Sequence, residues 1–152
     1  MIPALGTDGA DRSRAGRAVE FHRGALGGNV ERVIFGVASA DREPLVAISH
    51  WRGQARAGQI LIFRPCVQIV RAAIASARSG EGCGRFDAGE FPSRPGGVAI
   101  RCWARARPPS PGVVVFHRMR PDRTRIGRAT TLRGDELDAL SRALDWLSTT
   151  VT

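Results

Sequence analysis

The same order of elements can be read twice along this chain, and that doubling constrains its fold more than any other feature. In the first pass, Arg17-Ala-Val-Glu-Phe-His-Arg23, Val30-Glu-Arg-Val-Ile-Phe-Gly-Val37, Leu45-Val-Ala-Ile-Ser-His-Trp-Arg52 and Gln59-Ile-Leu-Ile-Phe63 are β-branched or aromatic runs bounded by Gly, Pro or Asp, as strands are. Pro65 then opens a helix, where its fixed φ and missing N–H do no harm. Val67, Val70, Ile74 and Ala77 lie on one stripe of it, and Gly80 ends it. The second pass offers Gly84–Phe91, Val98–Arg107, Val113–Arg120 and Ile126–Leu132. A helix follows from Gly134, with Asp135 and Glu136 at its positive end and Leu137, Leu140, Leu144 and Leu147 on one stripe. At an offset of about 68 residues, Leu45-Val-Ala-Ile maps onto Val113-Val-Val-Phe, Arg52 onto Arg120 and Phe35 onto Trp103. The pattern predicts an α+β protein of two ββββα repeats, with antiparallel sheets packed on paired helices. Residues 1–15 are expected to be a disordered lead-in, 16–80 the first unit and 84–150 the second. Arg107–Gly112 and Pro121–Thr124 read as turns between strands. Two unrelated α+β halves remain the alternative.

Within the second pass, Val98-Ala-Ile-Arg-Cys-Trp-Ala-Arg-Ala-Arg107 has a face of its own. At a strand's period of two, Val98, Ile100, Cys102, Ala104 and Ala106 form a small apolar side, and Arg101, Trp103, Arg105 and Arg107 form the other. An indole among guanidinium groups on an exposed sheet suits phosphates and an unpaired base. The charge balance points the same way. All 23 basic residues are arginine, 14 are acidic, and the net charge is +9. Arginine-rich coding accounts for the absence of lysine, since Ala, Gly and Pro are also plentiful, but not for the shortage of acids. Between Arg101 and Arg128 the sole acid is Asp122. That balance points towards a polyanionic partner or an anionic surface.

The doubled ββββα order resembles a group of single-strand nucleic-acid-binding folds: the positive cofactor four coactivators, the Whirly proteins and the purine-rich-element-binding proteins. The local echo is with the positive cofactor four family. Ile126-Gly-Arg-Ala-Thr-Thr-Leu132 leading into Asp135-Glu136-Leu137 is similar to its last strand and helix. Ile48-Ser-His-Trp-Arg52 and Arg56-Ala-Gly-Gln-Ile-Leu-Ile62 are similar to its middle. The chain departs from that pattern in having no lysine cluster and Arg133-Gly134 where a Ser or Thr cap is expected. The resemblance implies single-stranded DNA held on the strands' curved outer face, usually across a dimer.

The residues expected to bind nucleic acid are Arg52, Arg101, Trp103, Arg105, Arg107, Arg118, Arg120, Arg123, Arg125 and Arg128, with the arginines on phosphates and Trp103 under a base. The competing account is a solvated arginine-rich sheet face. Trp51 shares parity with Leu45, Ala47 and Ser49, which favours a packed position. His22 and His117 each adjoin an arginine, His50 lies two residues from Arg52, and all three read as surface groups that add pH-dependent phosphate contacts. No His pair or His–Cys spacing suits a metal, and no cofactor is expected. Nucleophile elbow, P-loop and HExxH patterns are all absent, so the expected role is binding and not catalysis. Cys102 alternates inward as a small hydrophobe. Three cysteines without a CxxC pair suit a reducing compartment. The first residues lack the basic and apolar regions of a leader, and no run of eighteen apolar residues suggests a membrane span. The expectation is thus a bacterial cytoplasmic accessory factor for transcription, replication or repair. Its partner is single-stranded DNA, ahead of RNA, with a homodimer as a further expectation. The alternative is a protein-interaction or dimerisation module using the Leu137–Leu147 stripe and the sheet edges.

Overall fold

The computed structural model describes residues 18–150 apart from 27–28, 80–83, 93–97 and 108–109. The expected lead-in and the centre of the joint between the two passes lie outside the described residues. The strands are β1 (Val19–Leu26), β2 (Asn29–Ala40), β3 (Glu43–Arg52), β4 (Ala55–Phe63), β5 (Gly84–Pro92), β6 (Ala99–Arg107), β7 (Ser110–Met119) and β8 (Arg125–Arg133). Helix α1 is Val67–Ser79, entered through a 3₁₀ turn over Arg64–Cys66, and α2 is Asp135–Thr149. β1–β4 form one antiparallel sheet and β5–β8 another, each with its strands in chain order. The class is α+β and the order is ββββα twice, as the periodicities predict.

Local chemistry explains several boundaries. β2 turns into β3 over Asp41 and Arg42, whose φ angles of 52° and 66° give the double positive pattern of a type I′ hairpin. α2 has no hydroxyl cap. The Glu136 carboxylate, buried in the first turn, accepts the Arg133 backbone N–H at 3.2 Å instead, which is half of a capping box. β7 begins at Ser110, so Gly112 belongs to a strand and not to the expected Arg107–Gly112 turn.

The compact units do not follow chain order. One gathers the first sheet, through Arg64, with α2 from Arg142 onward; the other is Pro65–Ser141. In that second unit α1 packs against β5, β6 and β7, the sheet that follows it in the chain. Its Val67, Val70, Ala73, Ile74 and Ala77 are buried, at roughly 1.5–3 kcal/mol for each large aliphatic side chain removed from water. Ile100, Cys102, Ala104, Val114, Phe116 and Leu132 supply the buried inner face of the sheet. Gly112 makes the approach close: a Cβ there would stand 2.0 Å from the Ala77 carbonyl oxygen, so only glycine fits. Arg78 of α1 is also ion-paired with Asp138 of α2.

In the first unit both faces of the sheet are apolar. Val33, Phe35, Val46, Ile48, Ile60 and Ile62 fill one, and Ile34, Leu45, Ala47 and Phe63 fill the other. Trp51 packs at the margin of that second cluster, as its parity predicts. Arg64 donates from Nε to the Leu147 carbonyl at 3.2 Å and from Nη2 to that of Thr150, satisfying the carbonyl end of α2.

The ladders correct one part of the repeat. Ile48 faces Phe35, while its counterpart Phe116 faces Cys102. Phe35 therefore corresponds to Cys102, and the position of Trp103 corresponds to Gly36. A one-residue slip of this kind exchanges the faces of a strand.

Candidate functional site

The second sheet's outer face, opposite α1, is built from alternate residues of four strands. Direct pairs Arg85↔Arg105, Asp87↔Trp103, Trp103↔Val115, Arg101↔His117 and Val115↔Thr131 place these side chains together. A three-residue against one-residue irregularity between β7 and β8 lets Arg125 return to the same face beside Met119. Between them lies an open cleft of about 410 Å³. Arg85, Arg105, Arg107 and Arg125 surround it, Trp103 and His117 form its aromatic floor, and among the described residues no carboxylate lines it.

Trp103 faces outward, as expected, yet it is not open to a base: it is 7% exposed. The Arg85 guanidinium carbon stands 4.3 Å from its ring centroid and that of Arg125 5.7 Å. The His117 ring lies 4.5 Å away at 32°. Side chains from β5, β7 and β8 thus cover the indole. His117 is also buried, at 8% exposure, and its Nδ1 has no hydrogen-bond partner. Burial first, then the charges of Arg125 and Arg85, depress its pKa from the ordinary 6.5, so it is neutral near pH 7.

No family model matches this chain, and neither a curated protein nor a solved structure matches it. The site therefore stands on its own geometry.

The structure brings Trp103, Arg105, Arg107 and Arg125 of the expected set together at the cleft. Arg101, on the same sheet, and Arg123, in the turn between β7 and β8, are already neutralised. Arg101 bonds Asp87 at 3.3 Å and Glu90 at 3.0 Å, and Arg123 forks onto both oxygens of Glu90. A bulge at Gly89 causes this, shifting the β5 register between Asp87 and Gly89 so that Glu90 joins Asp87 on the outer face. The hydrogen bond from Arg101 holds the Asp87 carboxyl below the usual range, and that from Arg123 does so for Glu90. Arg118 pairs with Ile100 on the α1 side, its Nε buried without a partner. Arg120 is spent on its own turn, donating to Thr124 Oγ1 and the Arg125 carbonyl. Asp122 accepts from Thr124 N and Oγ1 within its own turn. Arg128 is exposed on β8, and Arg52 belongs to the other unit, 4.0 Å from Glu31.

Residue reading missed Arg85 and His117 as members of the cleft. His50 is buried too, with Nε2 3.2 Å from Glu31, so two of the three histidines are not the surface groups expected. Only His22 is exposed, and it sits 2.8 Å from Glu20. Burial raises the Cys102 thiol to about 12, which leaves it protonated and unreactive. Among the described residues no three His, Cys, Asp or Glu side chains gather as a metal site requires, and no helix is long and apolar enough to cross a membrane.

Proposed function

We propose that the outer face of the second sheet binds single-stranded nucleic acid, DNA ahead of RNA, as an accessory factor for transcription, replication or repair that performs no chemistry. The observation that carries this is the acid-free cleft, in which four guanidinium groups from three strands surround one indole. Guanidinium forks suit phosphate oxygens, and an indole suits a base that has lost its partner. The shape is open, among the described residues no carboxylate lines it, and of the four arginines Asp87 reaches Arg85 alone, at 3.4 Å, so a passing backbone meets cations with little internal charge to leave. Little base specificity follows, because neither phosphates nor stacking carry a donor–acceptor code. The cytoplasmic setting, the homodimer, the pairing of the two helices and the kinship with Whirly-like folds belong to this proposal. The interaction-module alternative would have to use the sheet edges, because Leu137, Leu140, Leu144 and Leu147 are at most 3% exposed.

Filter binding of oligo-dT over a salt series tests it. Log affinity is expected to fall linearly with log salt, with a slope of about −0.7 per phosphate engaged. Affinity that is absent, or insensitive to salt, overturns the proposal.

A further inference from the structure

We infer that Arg85 is the resident occupant of the stacking face of Trp103, and that a ligand base must exchange with it, a step that rests on the nucleic-acid reading above. Arg85 thereby decides how much of the binding comes from bases and how much from phosphates.

The indole rises from β6, with β5 on one side and β7 on the other. From β7 comes His117, held against the ring at 4.5 Å and buried in the sheet surface. From β5, an edge strand, comes Arg85, whose side chain is 46% exposed and has Asp87, at 3.4 Å, as its carboxylate partner. Arg125, from β8, stands farther off at 5.7 Å. The two nearer covers differ in what it takes to remove them. Moving His117 would require a buried ring to leave a filled site. Moving Arg85 requires an exposed, flexible side chain to swing outward, and outward is where a phosphate would be. The guanidinium carbon sits 4.3 Å from the ring centroid, within cation–π range and over the ring where a base would have to stack.

Exchange is favourable on general grounds. An exposed guanidinium–indole contact is weaker than a base stacked on an aromatic ring. The displaced guanidinium loses nothing it cannot replace, because it can fork onto the phosphate of the incoming nucleotide. Asp87 returns it to the ring when the strand departs. Asp87 itself stays in place, since Arg101 also holds it, at 3.3 Å. An abasic strand gives no base to exchange, so it leaves Arg85 where it is and draws only on the remaining arginines.

Two oligonucleotides of equal length separate base from phosphate: oligo-dT and its fully abasic counterpart. The variants are Arg85→Ala, which removes stacking and charge, and Arg85→Lys, which keeps the charge but loses the planar stack. Both are expected to raise the dT-to-abasic affinity ratio by about 2–5-fold. Arg85→Ala is expected to flatten the salt slope by about 0.7, whereas Arg85→Lys leaves it unchanged. Equal losses on both strands would make Arg85 a phosphate contact alone and overturn the inference. A second arm needs no nucleic acid. Acrylamide quenching of tryptophan emission should increase in Arg85→Ala and not in Arg85→Ala/Trp103→Phe, with circular dichroism confirming the fold. Unchanged quenching overturns the inference even if oligonucleotides bind. If the wild-type chain binds neither strand while quenching does increase, the nucleic-acid reading fails and the cover over Trp103 stands.

Discussion

The face that carries Trp103 in the second sheet and the corresponding face of the first hold the same place in the ββββα order, and they are filled in opposite ways. In the first, Ile34, Leu45, Ala47 and Phe63 form an apolar cluster, with Trp51 at its margin. An arginine again lies over that indole, Arg32 at 5.5 Å, but it is also 3.7 Å from Glu20 and donates to the Gly53 carbonyl. On the opposite face Glu31 faces Arg23, His50 and Arg52 within 3.7, 3.2 and 4.0 Å. The second sheet keeps a smaller cluster of Trp103, Val113 and Val115, and surrounds it with arginines whose acids are either absent or gathered at the β5 edge. A doubled scaffold lets one copy be spent on packing while the other carries unneutralised charge. Fold order alone could not assign those roles, which follow from where the carboxylates stand.

The largest expected effect comes from reversing the charge on one face and removing it on the other. Arg105→Glu/Arg107→Glu should weaken oligo-dT binding by about a hundredfold, taking roughly 1.5 kcal/mol for each charged hydrogen bond to phosphate that is removed. Arg32→Ala/Arg52→Ala in the first sheet should change it by less than about twofold. Equal losses from the two pairs, read by filter binding, would erase the functional difference between the sheets.

Gly112→Ala tests what holds the second unit together. The added methyl meets the Ala77 carbonyl oxygen, and backbone cannot move aside as a side-chain tip can. Thermal unfolding followed by circular dichroism should show a loss of about 1–3 kcal/mol. The matching position before Leu45 in the first sheet is Pro44, already buried, so that copy has no such vacancy to fill. An unchanged melting temperature would contradict the close approach of α1 to β7.

Glu90→Gln should do the reverse of the first experiment. It releases Arg123, and frees Arg101 from one of its two carboxylates. Exposed ion pairs contribute about 0–1 kcal/mol, so stability should barely change. Oligonucleotide affinity should rise a few-fold, with the salt slope steeper by about 0.7 for each arginine that finds a phosphate. A lower affinity would show that Glu90 positions these arginines productively instead of occupying them.

Strand and helix periodicity made the eight runs and both helical stripes legible, because burial on one side writes a period of two or 3.6 directly into the residue types. Parity within β6 likewise placed Arg101, Trp103, Arg105 and Arg107 on one face. What parity cannot carry is register. The bulge at Gly89 brings Glu90 round to Arg101, and the slip between β2 and β6 puts Phe35 opposite to where a constant offset sets it. Arg85 was invisible for the same reason, since a cross-strand neighbour is known only once the strands are paired. The cover over Trp103 is a matter of long side chains lying down on a ring, and no spacing in the chain encodes it.

His117 gives the smallest and most specific test of the charged face. Its pKa is depressed by burial and by Arg125 and Arg85, so the folded chain holds fewer protons than the unfolded chain just below the ordinary value of 6.5. Its contribution is fully present above 6.5 and is lost as pH falls below it, so stability should decline on that side. Denaturant titrations at intervals below pH 7 should show this slope in the wild type and a flatter one in His117→Asn. Binding should run the other way. A phosphate in the cleft offsets the arginine charges that oppose protonation, so strand binding takes up a proton at His117 and affinity rises modestly as pH falls below 6.5. Exposed His22 in the first unit has no place in this cleft, and His22→Asn should leave the rise intact. If the rise persists in His117→Asn, the phosphate does not sit beside Trp103, and the arginines of the second sheet hold the strand elsewhere along the face.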